Sequence, residues 1–148
     1  MKPVVFETTD DRATIAIGER LAKFLKPGVI VAFYGDLGVG KTTMIKGFAR
    51  GLGVKETVKS PSFVIITEYL GRLPVYHIDL YRIRSIEELL HTGFDSYLRS
   101  DGVCLIEWAE KAEEILPPNT IRIKLTFADS GRRIEIRGLD YRLTEELK

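Results

Sequence analysis

The run Gly35-Asp36-Leu37-Gly38-Val39-Gly40-Lys41-Thr42 fits the pattern G-x-x-x-x-G-K-[ST] at every fixed position. Its residue types suit one kind of chemistry. Glycines let the backbone wrap a compact polyanion without side chains in the way. Successive N–H groups and a helix N-terminus then face the anion. The Lys41 ammonium can bridge the β- and γ-phosphates of a nucleoside triphosphate and balance charge as the γ-phosphoryl group transfers. The Thr42 hydroxyl can complete the shell of a Mg²⁺ ion. Thr43 is a second hydroxyl, equally at home as a first-turn helix residue. Asp36 reads as a solvated or amide-bonding loop residue rather than a catalytic one.

Mg²⁺ takes hard oxygen ligands, usually one or two carboxylates plus water and phosphate. Beside a phosphate-binding loop, such an acid belongs at the C-terminal end of a buried strand. Val103-Cys104-Leu105-Ile106-Glu107 is four apolar residues ending in an acid, and Val75-Tyr76-His77-Ile78-Asp79 is a weaker copy. An acid at the mouth of a buried strand is costly unless donors or a cation meet it. Glu107 is therefore expected to serve a metal, and Asp79 a metal or an attacking water; the alternative for each is capping the following helix. His77, between apolar neighbours, reads as a satisfied structural histidine. Trp108, the single tryptophan, suits packing, a site or an interface equally well. Arg82 and Arg84 read as surface charges. A guanine-selective Asn-Lys-x-Asp loop is lacking, since the one asparagine is Asn119 in Pro118-Asn119-Thr120. Adenine, and so ATP, is the expected base choice.

These groups need a scaffold. A strand is expected at residues 4–7, then a helix over 12–25 with caps offered by Thr8-Thr9-Asp10-Asp11 and a stop at Pro27-Gly28. Residues 29–34 are continuously apolar, as in a strand buried on both faces. A helix over 41–52 closes at Gly53. Residues 63–70 and 73–80 flank Gly71-Arg72 like a hairpin. Ser85-Ile86-Glu87-Glu88 resembles a capping box, and 93–101 holds another short helix. Strand 103–106 precedes a helix over 109–116, stopped by Pro117-Pro118. Strands 120–127 and 133–136 meet around Asp129-Ser130-Gly131, and the tail after Tyr141 suits a last helical turn. There is no repeat or linker, so residues 1–148 are expected to form a single α/β domain. The 22 basic and 21 acidic residues give a net charge of +1. That balance offers no whole-molecule field for nucleic acid or membrane. A single cysteine, Cys104, rules out a disulfide within one chain. It lies in an apolar run as a core residue. With no signal-like or membrane-length apolar stretch, a cytoplasmic location is expected.

Several blocks then line up with one family. Gly35 to Thr43 resembles G-D-L-G-A-G-K-T-T, with Val39 for the usual Ala. Ser60-Pro61-Ser62-Phe63 resembles S-P-T-F, with Ser62 for Thr. His77-Ile78-Asp79-Leu80-Tyr81-Arg82 resembles H-x-D-L-Y-R. Glu87-Glu88-Leu89 through Gly93-Phe94 resembles E-E-L…G-F, and Leu105-Ile106-Glu107-Trp108-Ala109-Glu110 resembles L-I-E-W-x-E. In order and over nearly the whole chain, these blocks resemble the TsaE (YjeE) family of bacterial P-loop ATPases. The resemblance implies a P-loop NTPase-like three-layer fold, with a mixed, mostly parallel central sheet flanked by helices. It implies an accessory role in threonylcarbamoyl modification of adenosine 37 in tRNA, through ATP hydrolysis on a TsaD–TsaB complex and only indirect contact with tRNA. It implies Mg²⁺ ligation by Thr42 and Glu107, catalytic roles for Lys41, Asp79 and Glu107, and nucleotide contacts along Asp36, Leu37, Gly38, Val39, Gly40, Lys41, Thr42 and Thr43. Ser62 and Trp108 join the nucleotide site, with base-side contacts near Asp11 and from Arg132. Two other classes are consistent with a P-loop: a small-molecule kinase, which needs an acceptor pocket and a lid, and a nucleotide-dependent binding module without useful turnover.

Overall fold

The computed structural model describes residues 2–59 and 65–140. Its order is β1 (Val4–Thr8), α1 (Asp11–Ala22), β2 (Ile30–Tyr34), α2 (Lys41–Gly51), β3 (Ile66–Leu70), β4 (Pro74–Asp79), α3 (Ile86–His91), α4 (Phe94–Leu98), β5 (Val103–Glu107), a 3₁₀ segment (Ala109–Ile115), β6 (Ile121–Ala128) and β7 (Gly131–Arg137). The strands form one seven-stranded sheet in the order β1-β7-β6-β2-β5-β4-β3. β2 pairs in parallel with β5 and β6, and β4 with β5. β1 and β7, β6 and β7, and β3 and β4 are antiparallel. Every strand except β3 and β7 thus runs the same way, which gives the mixed, mostly parallel sheet.

Alternation along the central strands separates two cores. Val31 and Phe33 of β2, with Val103 and Leu105 of β5, face α1 and α2 alongside Leu21, Met44, Ile45 and Phe48. Ile30 and Ala32, with Cys104 and Ile106, face the other way onto Leu89, Phe94, Ala109 and Ala112. Both faces being covered, β2 and β5 are buried along nearly their whole length. That explains why they read as unbroken apolar runs rather than as alternation.

Asp10 caps α1, its side chain accepting from the Ala13 N–H. Ser85 caps α3, accepting from Glu88 N–H at 3.1 Å. The Glu88 carboxylate turns to the Arg84 N–H rather than that of Ser85, so the reciprocal half of the box is displaced by one residue. α1 lies in near-backbone contact with α2. A Cβ at Gly47 would stand 2.2 Å from the Ile15 carbonyl oxygen, and one at Gly18 2.6 Å from that of Met44.

Three expectations need correction. Residues 109–115 form a 3₁₀ helix rather than an α-helix. Trp108 enters it in the left-handed region (φ 58°), and the bonds that bound it span three residues, Lys111 N–H donating to the Trp108 carbonyl and Leu116 N–H to that of Glu113. Of the strand expected over 63–70, residues 63 and 64 lie outside the described residues, and among those described it begins at Ile66 rather than Ile65. The first helix ends at Ala22 rather than at residue 25, because the Phe24 and Leu25 N–H groups bond back three residues, to Leu21 and Ala22, rather than four. The tail after residue 140 lies outside the described residues. No helix among the described residues is long and apolar enough to cross a membrane.

Candidate functional site

β2 delivers the chain to the glycine-rich loop at its C-terminal end, and α2 leaves from it. Gly40, the residue before α2, has φ 108° and gives no side-chain cap. Few other residues tolerate that backbone. In α1 and α3 a side chain occupies a first-turn amide; in α2 the cap is a glycine and no acid lies in the first turn. Its orphan N–H groups and positive dipole end face the loop, the arrangement that favours a phosphate. Asp36 and Leu37 are exposed at the tip, Leu37 at 74%, while Val39 is buried and anchors the loop to the core.

Parallel register places the two acids beside this loop. Phe33 of β2 pairs with Glu107 of β5, which in turn pairs with Asp79 of β4. Glu107 is buried at 4% exposure. The Thr42 hydroxyl donates to it, 2.9 Å from Oε1 and 3.1 Å from Oε2. His77 Nε2 lies 2.6 Å from Oε2. A carboxylate only accepts, so Nε2 carries the hydrogen in this contact. These two donors offset the desolvation that a lone buried carboxylate would suffer, a cost of several kcal/mol. The expectation of a satisfied structural histidine is only half met. Nε2 is engaged, but Nδ1 is buried and has no hydrogen-bond partner among the described residues, an omission worth about 1–3 kcal/mol. From the sequence His77 reads as structural rather than as part of the site, because Tyr76 and Ile78 look like core neighbours. The available signal was its position two residues before Asp79 on one strand, which puts both side chains on one face.

Asp79 is half-buried, and its Oδ1 accepts from the Tyr81 N–H at 3.0 Å. It therefore shapes the turn after β4 as well as lining the site. Lys41 is 4% exposed, and its ammonium donates to the Gly35 carbonyl of its own loop. It also lies 3.6 Å from the centroid of the Trp108 ring, a cation–π contact. Burial pushes the Lys41 pKa below its ordinary value, partly offset by Glu107, Glu110, Asp79 and Asp36. Trp108, evenly balanced on sequence grounds, is thus at the site. It is the one described non-glycine residue with positive φ, a backbone state that costs on the order of 1–3 kcal/mol. Tyr81 packs against the same indole, ring centroids 5.1 Å apart.

Arg132 braces the loop from β7. Its Nε donates to the Val39 carbonyl at 2.9 Å, and its guanidinium lies 4.5 Å from the Phe127 ring. Thr8 of β1 pairs with Arg132, which brings the exposed first residue of α1, Asp11, to the same end of the sheet. Thr43 is half-buried in the first turn of α2. Ser62 lies outside the described residues. Lys41, Thr42, Asp79, Glu107 and Trp108 are brought together; Asp11 stands at the margin.

The donor set fits a triphosphate with Mg²⁺. The Thr42 hydroxyl gives its hydrogen to Glu107 and keeps oxygen lone pairs for a cation. Glu107 adds a hard anionic oxygen, and the α2 amides and Lys41 suit phosphate. The model of the family described as "Threonylcarbamoyl adenosine biosynthesis protein TsaE" matches residues 8–134. The tRNA threonylcarbamoyladenosine biosynthesis protein TsaE of Bacillus subtilis is 44% identical over 147 residues, covering 92% of each chain. That of Haemophilus influenzae is 37% identical over 134 residues, 86% of this chain and 84% of the relative. The crystal structure of Bacillus subtilis YdiB superposes with a TM-score of 0.83 at 41% identity, over 99% of this chain and 94% of that one.

Proposed function

The chain belongs to the TsaE family, and from that premise we propose that it binds and hydrolyses ATP with Mg²⁺ in support of threonylcarbamoyl modification of adenosine 37 in tRNA. The observation that carries this reading is the Thr42–Glu107 contact. It joins the first turn of the P-loop helix to an acid on the neighbouring parallel strand. Bound Mg²⁺ would neutralise charge on the β- and γ-phosphate oxygens. Thr42 and Glu107 would hold it, and Lys41 would leave its Gly35 carbonyl for a phosphate oxygen. Asp79, in register with Glu107, would orient water or support the metal. Trp108 shields this cluster and holds the Lys41 ammonium near the loop.

The proposed working partner is a TsaD–TsaB complex, with tRNA met only through it. Turnover by the chain alone is expected to be weak. The test is ATP hydrolysis with and without the matching TsaD–TsaB pair. Strong stimulation supports the reading. No stimulation together with no complex formation would overturn the assigned role.

A further inference from the structure

We propose that His77 is a positioning residue for the metal site, holding the Glu107 carboxylate in the orientation that serves Thr42 and the cation. The inference rests on the ATP–Mg²⁺ reading above. Its observations are geometric. β4 and β5 pair in parallel with His77 opposite Leu105 and Asp79 opposite Glu107, which sets His77 on the strand beside Glu107 and two residues back from its register. His77 is completely buried, and Nε2 meets Oε2 at 2.6 Å. Thr42 meets the same carboxylate from α2 at 2.9 Å. The carboxylate is thus gripped from two elements, one fixed in the sheet and one in the helix that carries the phosphate loop.

The unmet Nδ1 argues against a filler role. An apolar side chain would occupy this space without leaving a buried nitrogen unpaired. What an apolar residue cannot do is donate to Oε2. A donor to a metal-ligating carboxylate fixes its rotamer and sets which oxygen faces the cation, and loss of such a partner typically costs about 10–100-fold in metal affinity or activity.

Two amide variants separate positioning from packing. In His77→Gln the amide nitrogen can stand near the place of Nε2 and donate to Glu107. In His77→Asn it stands near the place of Nδ1 and falls short. The readout is calorimetric binding of a non-hydrolysable ATP analogue across a Mg²⁺ titration, with Glu107→Gln alongside. The expected result for His77→Asn is metal-free affinity within threefold of wild type, but a Mg²⁺ requirement raised tenfold or more. His77→Gln is expected to return to within about threefold of the wild-type requirement. The inference is overturned if His77→Asn keeps the wild-type Mg²⁺ dependence while Glu107→Gln loses it, since the metal site then stands without the histidine. It is equally overturned if both His77 variants lose affinity alike with and without Mg²⁺, which marks a packing role. A wild-type protein whose binding ignores Mg²⁺ would sink the metal reading itself, and this inference with it.

Discussion

Replacing Gly47 by alanine tests whether the P-loop helix is held in place by α1. The added Cβ would lie 2.2 Å from the Ile15 carbonyl oxygen and 2.9 Å from its carbon, both backbone atoms that cannot swing aside. Comfortable contact needs about 3.5 Å, so the helices must part by roughly an ångström. Overpacking of this kind costs about 1–3 kcal/mol, while alanine in mid-helix returns up to about 1 kcal/mol over glycine. The net expectation is a loss of about 1–2 kcal/mol. At about 2–4 °C per kcal/mol for a domain of this size, the melting temperature should fall by roughly 2–8 °C. The same displacement moves Lys41 and Thr42 in the first turn of α2. Misplacement by about 1 Å can cost on the order of 100-fold in turnover. Thermal melting by circular dichroism reads the first effect and ATP hydrolysis the second. A Gly47→Ala protein that melts at or above the wild-type temperature with unchanged turnover would refute the account of α1 as a brace.

Lys41→Ala should abolish ATP hydrolysis while leaving the melting curve cooperative; retained turnover would contradict the phosphate-bridging role. Thr42→Val removes the hydroxyl that donates to Glu107. With about 1.5–3 kcal/mol for a hydrogen bond to a charged group, affinity for ATP–Mg²⁺ by calorimetry should drop about 10–100-fold, and more than affinity for ATP alone. Burial pushes the Cys104 thiol up to about 12 from an ordinary 9.0. Its neutral form therefore supports the fold fully below pH 9, and that contribution is lost as pH rises toward 12. A disulfide reagent at pH 8 should label Cys104 only as fast as the protein unfolds, and rapid labelling of the folded protein would count against this. Asp10→Ala removes the α1 cap and should cost about 1 kcal/mol in a denaturant titration.

The parts of the site that were legible in the sequence are those whose geometry is local. The P-loop declares itself because strand, glycines, lysine and threonine are consecutive. Glu107 and Asp79 could be found because an acid ending an apolar run must meet something. The His77–Glu107 contact was not legible, because it depends on β4 and β5 being neighbours in one particular register; slipped by one residue, His77 would face the opposite core. Trp108 could not be assigned because its place over Lys41 depends on a left-handed turn that no residue type there announces. The 3₁₀ segment has a composition rich in Ala, Glu and Lys that favours an α-helix, and tertiary constraint overrode it. The pairing of β1 with β7, and hence the placement of Asp11 near Arg132, joins the two ends of the domain and left no local trace.

The strand order also sets the timetable on which the site can exist. β2 is flanked by β5 and β6, whose residues pair as Ile30 with Cys104 and Val31 with Ile121. A nascent chain stopped before residue 103 holds every residue of the P-loop yet neither strand that supports it. Until those strands emerge, the apolar run of β2 has no sheet to join, and its exposed edges invite association with other chains. Closing such distant pairings is slow compared with forming α1 or α2. The candidate site therefore arrives late in synthesis, nearly all at once, and a chain truncated anywhere before β6 should carry the loop without the site.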